Sequence, residues 1–338
     1  VLARLSAEDP KANEQPAVII GAHIDHLGDR SGPGSLARDD EKDQIHHGAD
    51  DNASGTAGLL EIAQYLKDQQ DAGELPLKRD IVFAAWSGEE LGLLGSSHFV
   101  KQAGHGMNGS AEGHSHHGLS EHFAAYLNMD MIGRLDKALV LQGIGSSDYW
   151  TGAIERRNAP VGLPITTHKD VYLPTDATVF YLRQVPILSA FTGSHEDYHT
   201  PRDTADKVNY EGARDIAKLM ALITRGLAIE ETTPEYVKVE PPKNRGARGF
   251  RVYLGTIPDY SATEVKGVPL SGVASDGPAG KAGVKGGDII TGLAGKDVLN
   301  IYDYTAALAE LKVDQETEIV VNRGGKEIKM KIVPGSRD

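Results

Sequence analysis

The sequence predicts an α/β fold, a mixed and mostly parallel sheet flanked by helices, followed by a small β-rich domain. Three observations predict it. The apolar runs AVII at 17–20, IVFAAW at 81–86 and VPIL at 185–188 lack alternation, as strands covered on both faces do. Between the first two lies GTAGLLEIAQYLKD, where Leu59, Leu60, Ala63 and Leu66 recur at helical spacing behind Ser54 and Gly55. Strand, helix, strand implies parallel neighbours. Past residue 248 the pattern changes to short β-like runs, FRVYLG, EIVV and EIKMKIV, with Gly324 and Gly325 marking a hairpin turn.

A chain of 338 residues exceeds what one core usually supports, so two domains are expected, at 1–232 and 249–335. The stretch 211–229 is apolar and helix-compatible. ETTPEYVKVEPPKNRGARG follows it with three prolines and mixed charge, and its part 233–248 reads as the linker. Val1 to Leu5 reads as the end of a strand, which suggests a truncated precursor whose export signal is lost. The segment 103–118 is rich in Gly, His and Ser; its His105, His114, His116 and His117 read as a solvated loop without the rigid surroundings that orient metal ligands.

Composition narrows the function. Hydrophobic residues make up 40% and charged residues 25%, ordinary for a globular chain, so neither disorder nor a fibrous repeat is indicated. No apolar stretch approaches the ~18 residues that cross a bilayer. A net charge of -13 argues against a nucleic-acid partner, which needs a basic face. With zero cysteines, disulfides and thiolate ligands are excluded, and any metal must rest on His, Asp and Glu.

Five segments supply such residues, each after an apolar run, where open α/β sheets place their ligands. GAHIDHLG sets His23 at a strand end, with Asp25 placed to accept its second ring N–H. HHGADDNASG offers Asp50 and Asp51 before a helix, as a bridge between cations or merely as a cap. In AAWSGEELGLLGS, one of Glu89 and Glu90 would bind metal and the other would take a proton from water; a helix start that welcomes acids is the plainer reading. YLNMDMIG strands Asp130 among apolar residues, where a bare carboxylate is costly unless paired or coordinated. GSHEDYHTPRDT contributes His195, Glu196, Asp197, His199 and Asp203. The set suits a pair of divalent ions, zinc favoured where imidazole contributes.

Over roughly residues 1–230 these motifs resemble the M28 family of zinc peptidases, which includes bacterial aminopeptidases. The resemblance implies two zinc ions per chain. His23 would bind one, Asp50 would bridge both, Glu90 and Asp130 would bind one each, and His199, in YHTPRDT, would complete the second. It further implies Glu89 as general base, Asp25 and Asp203 as orienters, and a cis peptide at Asp50-Asp51. Asp176, in LPTDATVF, aligns with an acid of the substrate pocket; Tyr172 is the candidate oxyanion donor and His195 a pocket residue. The activity implied is release of N-terminal residues from peptides by a secreted or periplasmic enzyme. The mechanism implied is that the two zincs would make water a usable nucleophile at ordinary pH, with Glu89 taking its proton and handing it to the departing amine.

Residues 249–335 resemble a PDZ domain of bacterial proteases, chiefly in YLGT at 253–256 and GPAGKAGVKGGDII. That resemblance implies capture of a C-terminal carboxylate by backbone N–H groups at Leu254 and Gly255, with the peptide added as a strand and 303–311 as the groove helix. Packing without peptide binding is the alternative. GPAGKAG is not a phosphate loop, since Ser275 stands for the first Gly and Ala282 follows the Lys. No GxSxG elbow occurs, which disfavours a serine hydrolase. Carboxypeptidase or dipeptidase action, glutaminyl cyclisation, and a metal-free protein that binds peptides through its PDZ domain stay open.

Overall fold

The computed structural model describes residues 1–29, 34–41, 43–103, 118–240, 252–259, 265–274 and 277–336. The histidine-rich expectation at 103–118 falls almost wholly outside them, as does the second half of the expected linker, 241–248.

Contacts divide the chain into two units. The first comprises Val1–His26, Ala49–Thr192 and Ala205–Val239; the second comprises Leu27–Gly48, Gly193–Thr204 and Glu240–Asp338. The first expected domain is therefore not continuous. Its two excursions are bonded to one another: Leu36 N–H donates to the His199 carbonyl at 2.8 Å, Arg202 pairs with Glu41, and His46 bridges to Gly28.

The first unit holds seven strands, β1 (Leu2–Leu5), β2 (Ala17–His23), β3 (Ile81–Trp86), β4 (Phe123–Met129), β5 (Leu139–Gln142), β6 (Ile165–His168) and β7 (Ile187–Phe191). Their order is β1-β3-β2-β4-β7-β5-β6. The pairs among β3, β2, β4 and β7 are parallel, whereas β1 runs antiparallel to β3 and β5 antiparallel to β7. The sheet is thus mixed and mostly parallel at its centre, as expected. Strand β7 starts two residues later than the run at 185–188 because Pro186, without an N–H, contributes only its carbonyl, to Tyr126 N–H at 2.9 Å.

Among the described residues five helices flank the sheet: α1 (Gly55–Asp71), α2 (Leu94–Ala103), α3 (Tyr149–Asn158), α4 (Ala177–Tyr181) and α5 (Tyr210–Ile229). Alternate residues of β2 feed opposite cores. Val18 and Ile20 join α1, α3 and α5 around Ile62, Leu66, Trp150 and Met220, while Ile19 joins α2 and α4 around Val100, Phe180 and Tyr181. That two-sided burial is why the strand lacks polar alternation. On α1 the buried stripe is Leu59, Ile62 and Leu66, and Leu60 is 67% exposed. Leu60 follows Leu59 by about 100° of helix rotation, which carries it off the core face.

The expected linker does not begin at 233. Val237 N–H donates to the Ser146 carbonyl, Val239 N–H donates to the Tyr181 hydroxyl and the Val239 carbonyl accepts from Tyr172 Oη. Tyr236 packs on Tyr181, with ring centroids 5.2 Å apart. Aromatic burial and paired backbone therefore hold this segment to the first unit.

In the second unit, β8 (Val252–Tyr253) pairs with β15 (Gly335–Ser336). The strands β9 (Thr256–Pro258), β10 (Val268–Val273), β11 (Ile289–Leu293), β12 (Lys296–Asp297), β13 (Thr317–Arg323) and β14 (Lys326–Ile332) form an antiparallel sheet ordered β14-β13-β11-β10-β9, with β12 beside β11. Helices α6 (Pro278–Ala282) and α7 (Ile301–Glu310) complete it around a core that includes Leu254, Ile290, Leu293 and Ile319. The hairpin β13–β14 turns at Gly324 and Gly325, φ +58° and +84°, the left-handed pair that a two-residue turn needs. Buried Asp288 accepts two hydrogen bonds from Arg323, at 2.6 and 2.7 Å, which fasten β13 to the turn before β11.

The two faces of α1 give a direct test. Ile62→Ala removes a fully buried side chain and should lower the unfolding free energy of the first unit by about 2–5 kcal/mol. Leu60→Ala should stay within about 0.5 kcal/mol of the parent, both read by urea titration.

Candidate active site

The carboxyl ends of β2, β3 and β4 lie side by side, and the turn 49–54 meets them. His23 is the last residue of β2, Glu89 and Glu90 follow β3, and Asp130 follows β4. Parallel neighbours with all their ends on one edge are what bring these residues together.

The turn before α1 is built around buried polar groups. Asn52 Nδ2 donates to the Met129 carbonyl at 3.0 Å, and Asn52 Oδ1 accepts from Gly55 N–H at 3.1 Å and Met131 N–H at 3.2 Å. Gly55 is required there, since a Cβ would sit 2.3 Å from Asn52 Oδ1 and 2.6 Å from the Met129 carbonyl. The peptide Asp51-Asn52 is cis, one residue later than expected.

The two adjacent acids have different roles. Asp50 Oδ1 accepts from Gly133 N–H at 2.6 Å and from Ser54 Oγ at 3.0 Å, and Ser54 Oγ in turn accepts from Ile132 N–H. Asp50 thus braces the loop after β4 against the turn. Asp51 turns the other way, into the histidines, which corrects the expectation that placed Asp50 there.

Two groups of donors form, and Asp51 belongs to both. The first is His23, Asp51 and Asp130, and the second is His26, Asp51 and Glu90, with all donor atoms of each group within 4.8 Å. Asp51 Oδ1 lies 3.2 Å from His23 Nε2, which lies 3.3 Å from Asp130 Oδ1. Asp51 Oδ2 lies 3.7 Å from His26 Nδ1, itself 3.0 Å from Glu90 Oε1. One oxygen of Asp51 therefore faces each group. Tetrahedral zinc with bonds of about 2.0–2.1 Å separates neighbouring donors by about 3.3 Å, so the residues fit zinc in spacing and in donor type.

Supporting contacts orient these donors. His23 Nδ1 donates to the Asp25 backbone carbonyl at 2.9 Å, which turns Nε2 toward Asp51 and Asp130. The Asp25 carboxylate, expected to do this, is 3.9 Å from that nitrogen and accepts instead from the backbone N–H groups of Glu89, at 3.1 Å, and Glu90, at 3.3 Å. It thereby ties the loop after β3 to the loop after β2.

Beneath the cluster a buried polar chain crosses the sheet. Trp86 Nε1 donates to Tyr126 Oη at 2.9 Å, Tyr126 Oη to Asn128 Oδ1 at 2.7 Å, and Asn128 Nδ2 to Ser189 Oγ at 3.3 Å. Gly21 makes room for it, because a Cβ there would lie 2.7 Å from Trp86 Nε1.

Crowded carboxylates shift one another. Burial pushes the Glu89 carboxyl well above its ordinary range; His23 opposes this, and Asp130, Asp176 and Glu90 add to it. Asp176, buried at the start of α4, is raised to about 7, again chiefly by burial. A metal-free site of this kind holds protons that divalent cations would replace.

Other expected residues are placed differently. Tyr172 Oη donates to the Val239 carbonyl at 2.9 Å, so its proton is committed to the backbone and not to an oxyanion. His195, His199 and Asp203 lie in the second unit, where His199 Nδ1 donates to the Gly34 carbonyl at 2.8 Å, Asp203 is fully buried and the His195 carbonyl accepts from Tyr198 N–H. In the β-rich domain the Leu254 carbonyl accepts from Ala279 N–H and the Gly255 carbonyl from Ala274 N–H, with Gly255 at φ +75°. Helix α7 begins two residues before the expected 303, and its Tyr304 hydroxyl lies 2.6 Å from Thr256 Oγ1 on β9. Sequence reasoning missed His26 and gave Asp51 no role of its own. The signal for His26 was present, a second histidine three residues after the first in HIDH.

The model of peptidase family M28 matches residues 1–224. The chain belongs to peptidase family M28. A PDZ domain model matches residues 237–333, which makes the β-rich part of this M28 chain a PDZ domain. Aminopeptidase YwaD of Bacillus subtilis is 26% identical over 204 residues, 56% of this chain and 40% of its own length. Leucine aminopeptidase 2 of Trichophyton equinum is 26% identical over 265 residues, 68% of this chain and 46% of its own. The M28 chain thus spans less than half the length of these curated relatives. The fold is that of solved aminopeptidases: Legionella pneumophila LapA superposes with a TM-score of 0.52 at 20% identity, covering 68% of this chain and 59% of that one. The zinc aminopeptidase BSAP of Bacillus subtilis gives 0.51 at 22% identity, covering 71% and 53%. Among the described residues no helix is long and apolar enough to cross a membrane.

Asp176 supplies a pH test. Its folded value of about 7 exceeds the ordinary 3.8, so the native metal-free chain binds the extra proton and loses stability as pH rises between those values. Asp176→Asn should raise the melting temperature of the metal-free chain at pH 8, by at most about 4 kcal/mol in stability. At pH 3.5, thermal scans should show the gain gone.

Proposed function

We propose that the chain is a di-zinc aminopeptidase that hydrolyses the peptide bond after the N-terminal residue of peptides. The observation that carries this reading is the two-sided placement of Asp51, one carboxylate oxygen toward His23 and Asp130 and the other toward Glu90 and an imidazole. A shared carboxylate between two like groups of donors is what a pair of ions needs. The names of the relatives, aminopeptidases in each case, supply the substrate class.

In this reading His23, Asp51 and Asp130 hold one ion, and Asp51 and Glu90 hold the other with an imidazole that the family resemblance assigns to His199. When bound, the zinc ions would supply Lewis acidity toward the scissile carbonyl and make water a usable nucleophile near neutral pH. Glu89 stands next to the donors without belonging to either group. Its carboxylate accepts the proton of the attacking water and returns it to the departing amine nitrogen, so one side chain serves both halves of the reaction. Asp25 positions it through the backbone of Glu89 and Glu90. Asp176 and the acids of the cluster favour a positively charged substrate amine, which selects peptides with an unblocked N-terminus. The PDZ domain would bring protein C-termini to the enzyme through the edge of β9.

Three variants test the roles. Glu89→Gln keeps shape and hydrogen bonding but not the proton carrier, so it should retain zinc, measured by elemental analysis, and lose on the order of 10²–10⁴ in kcat on aminoacyl nitroanilides. Asp51→Asn should lose zinc and activity together. Asp50→Asn should keep its zinc and lose stability instead, by about 1–3 kcal/mol, as Gly133 N–H and Ser54 lose a charged acceptor. Equal zinc loss in both aspartate variants would defeat the assignment of the bridge to Asp51.

A further inference from the structure

We propose that the PDZ domain grips only the last three residues of a peptide, because Pro258 ends the strand pairing that the edge of β9 can offer. This deepens the peptide-capture part of the proposed function and rests on it. The ligand class is any chain, short peptide or protein tail, that ends in a free carboxylate, with no selection on what lies before its third-last residue.

Peptide planarity shows which backbone groups face the groove, since in a trans peptide the C=O and the following N–H point in opposite directions. The Leu254 carbonyl accepts from Ala279 N–H of α6 at 2.8 Å, so Gly255 N–H is directed away from α6. The Gly255 carbonyl accepts from Ala274 N–H, just past β10, at 2.7 Å, so Thr256 N–H is directed away from β10. Gly255 makes this turn at φ +75°, and a Cβ on it would stand 3.0 Å from Tyr253 Oη and 3.2 Å from Ala274 Cβ. Two successive N–H groups turned outward at the start of a strand suit a carboxylate. Tyr304 Oη of α7 lies 2.6 Å from Thr256 Oγ1, which braces the helix against the strand at this end of the groove.

Strand β9 is the last in its sheet among the described residues, so its outer side is an edge. The Ile257 carbonyl accepts from Ser271 Oγ of β10 at 3.1 Å, and Asp259 N–H donates to the Pro269 carbonyl of β10 at 2.8 Å. Both groups face β10, so the nitrogen and the carbonyl of Pro258 between them face the edge. Thr256, two residues earlier in an alternating strand, presents its N–H and C=O there as well. An antiparallel strand with its carboxylate at Gly255 and Thr256 would give its last N–H to the Thr256 carbonyl and its third-last N–H to the Pro258 carbonyl. Its third-last carbonyl would need the next donor, and Pro258 has no N–H. The ladder stops there. Recognition of this depth is indifferent to length: a peptide shortened from its N-terminus, as an aminopeptidase shortens it, remains a ligand until three residues are left.

The test is titration calorimetry on the full chain. A library of N-acetylated octapeptides, alanine at the first five positions and varied at the last three, identifies the tightest end; acetylation keeps the peptides from aminopeptidase action. That end is then titrated as N-acetylated peptides of three, five and eight residues, and as the longest one amidated at its C-terminus. The three lengths should bind within about threefold of one another, and amidation should abolish binding. Pro258→Ala restores the missing N–H and should tighten all three by about two- to tenfold, the range of one net hydrogen bond, with the melting of the variant read alongside. The length series needs no variant and stands if that one misfolds. An eight-residue peptide that binds wild type more than about threefold tighter than the three-residue one, or a well-folded Pro258→Ala chain with no gain, would overturn the proposal alone. No heat from any free-carboxylate peptide, or equal heat from the amidated one, would overturn capture of C-termini and, with it, this inference.

Discussion

The active edge of this chain depends on Asn52. Its amide reaches the Met129 carbonyl, the Met131 N–H and the Gly55 N–H, and so joins the end of β4 to the start of α1. Each of these backbone groups is buried and would be costly to leave unpaired. With the junction closed, Asp50 and Asp51 are held in fixed and opposite directions. One serves the fold and the other faces the histidines. The placement of both acids rests on this one structural amide.

The site also shows how a crowd of acids is tolerated in a buried place. Glu89, Asp130 and Asp176 all have carboxyl values raised by burial, and His23 opposes the rise in each. Such an arrangement is poor for stability without counter-charge, and it is the arrangement expected of a metal centre. Stability comes from elsewhere, from strands covered on both faces by α1, α3 and α5 on one side and α2 and α4 on the other. The polar chain from Trp86 to Ser189 keeps the layer beneath the donors rigid, because every member is bonded to the next.

Most of the fold was legible in the sequence because burial leaves a periodic trace. Uninterrupted apolar runs marked β2 and β3 to within a few residues, a helical repeat marked α1, and Gly324-Gly325 marked the hairpin of the PDZ domain. The donors His23, Glu90 and Asp130 were legible for a different reason: each directly or nearly follows a strand, and strand ends are where such sheets collect chemistry. Errors fell where the local signal is symmetric. Leu59 and Leu60 are the same residue type, as are Asp50 and Asp51, and only the direction of each side chain separates them. The segment 233–239 reads as a linker by its composition, yet Tyr236 and Val239 have partners more than 50 residues away on the first unit.

What the sequence by itself determined is the set of elements and the pool of chemical groups, because periodicity and residue type are local properties. The family follows from the same motifs. Only the tertiary structure decided which members of the pool converge: that Asp51 and not Asp50 stands between two imidazoles, that His26 joins Glu90, and that Tyr172 gives its proton to the backbone. Those choices turn on backbone direction at a few non-repeating residues, and on contacts between segments far apart in the chain, for which no periodicity in the sequence exists.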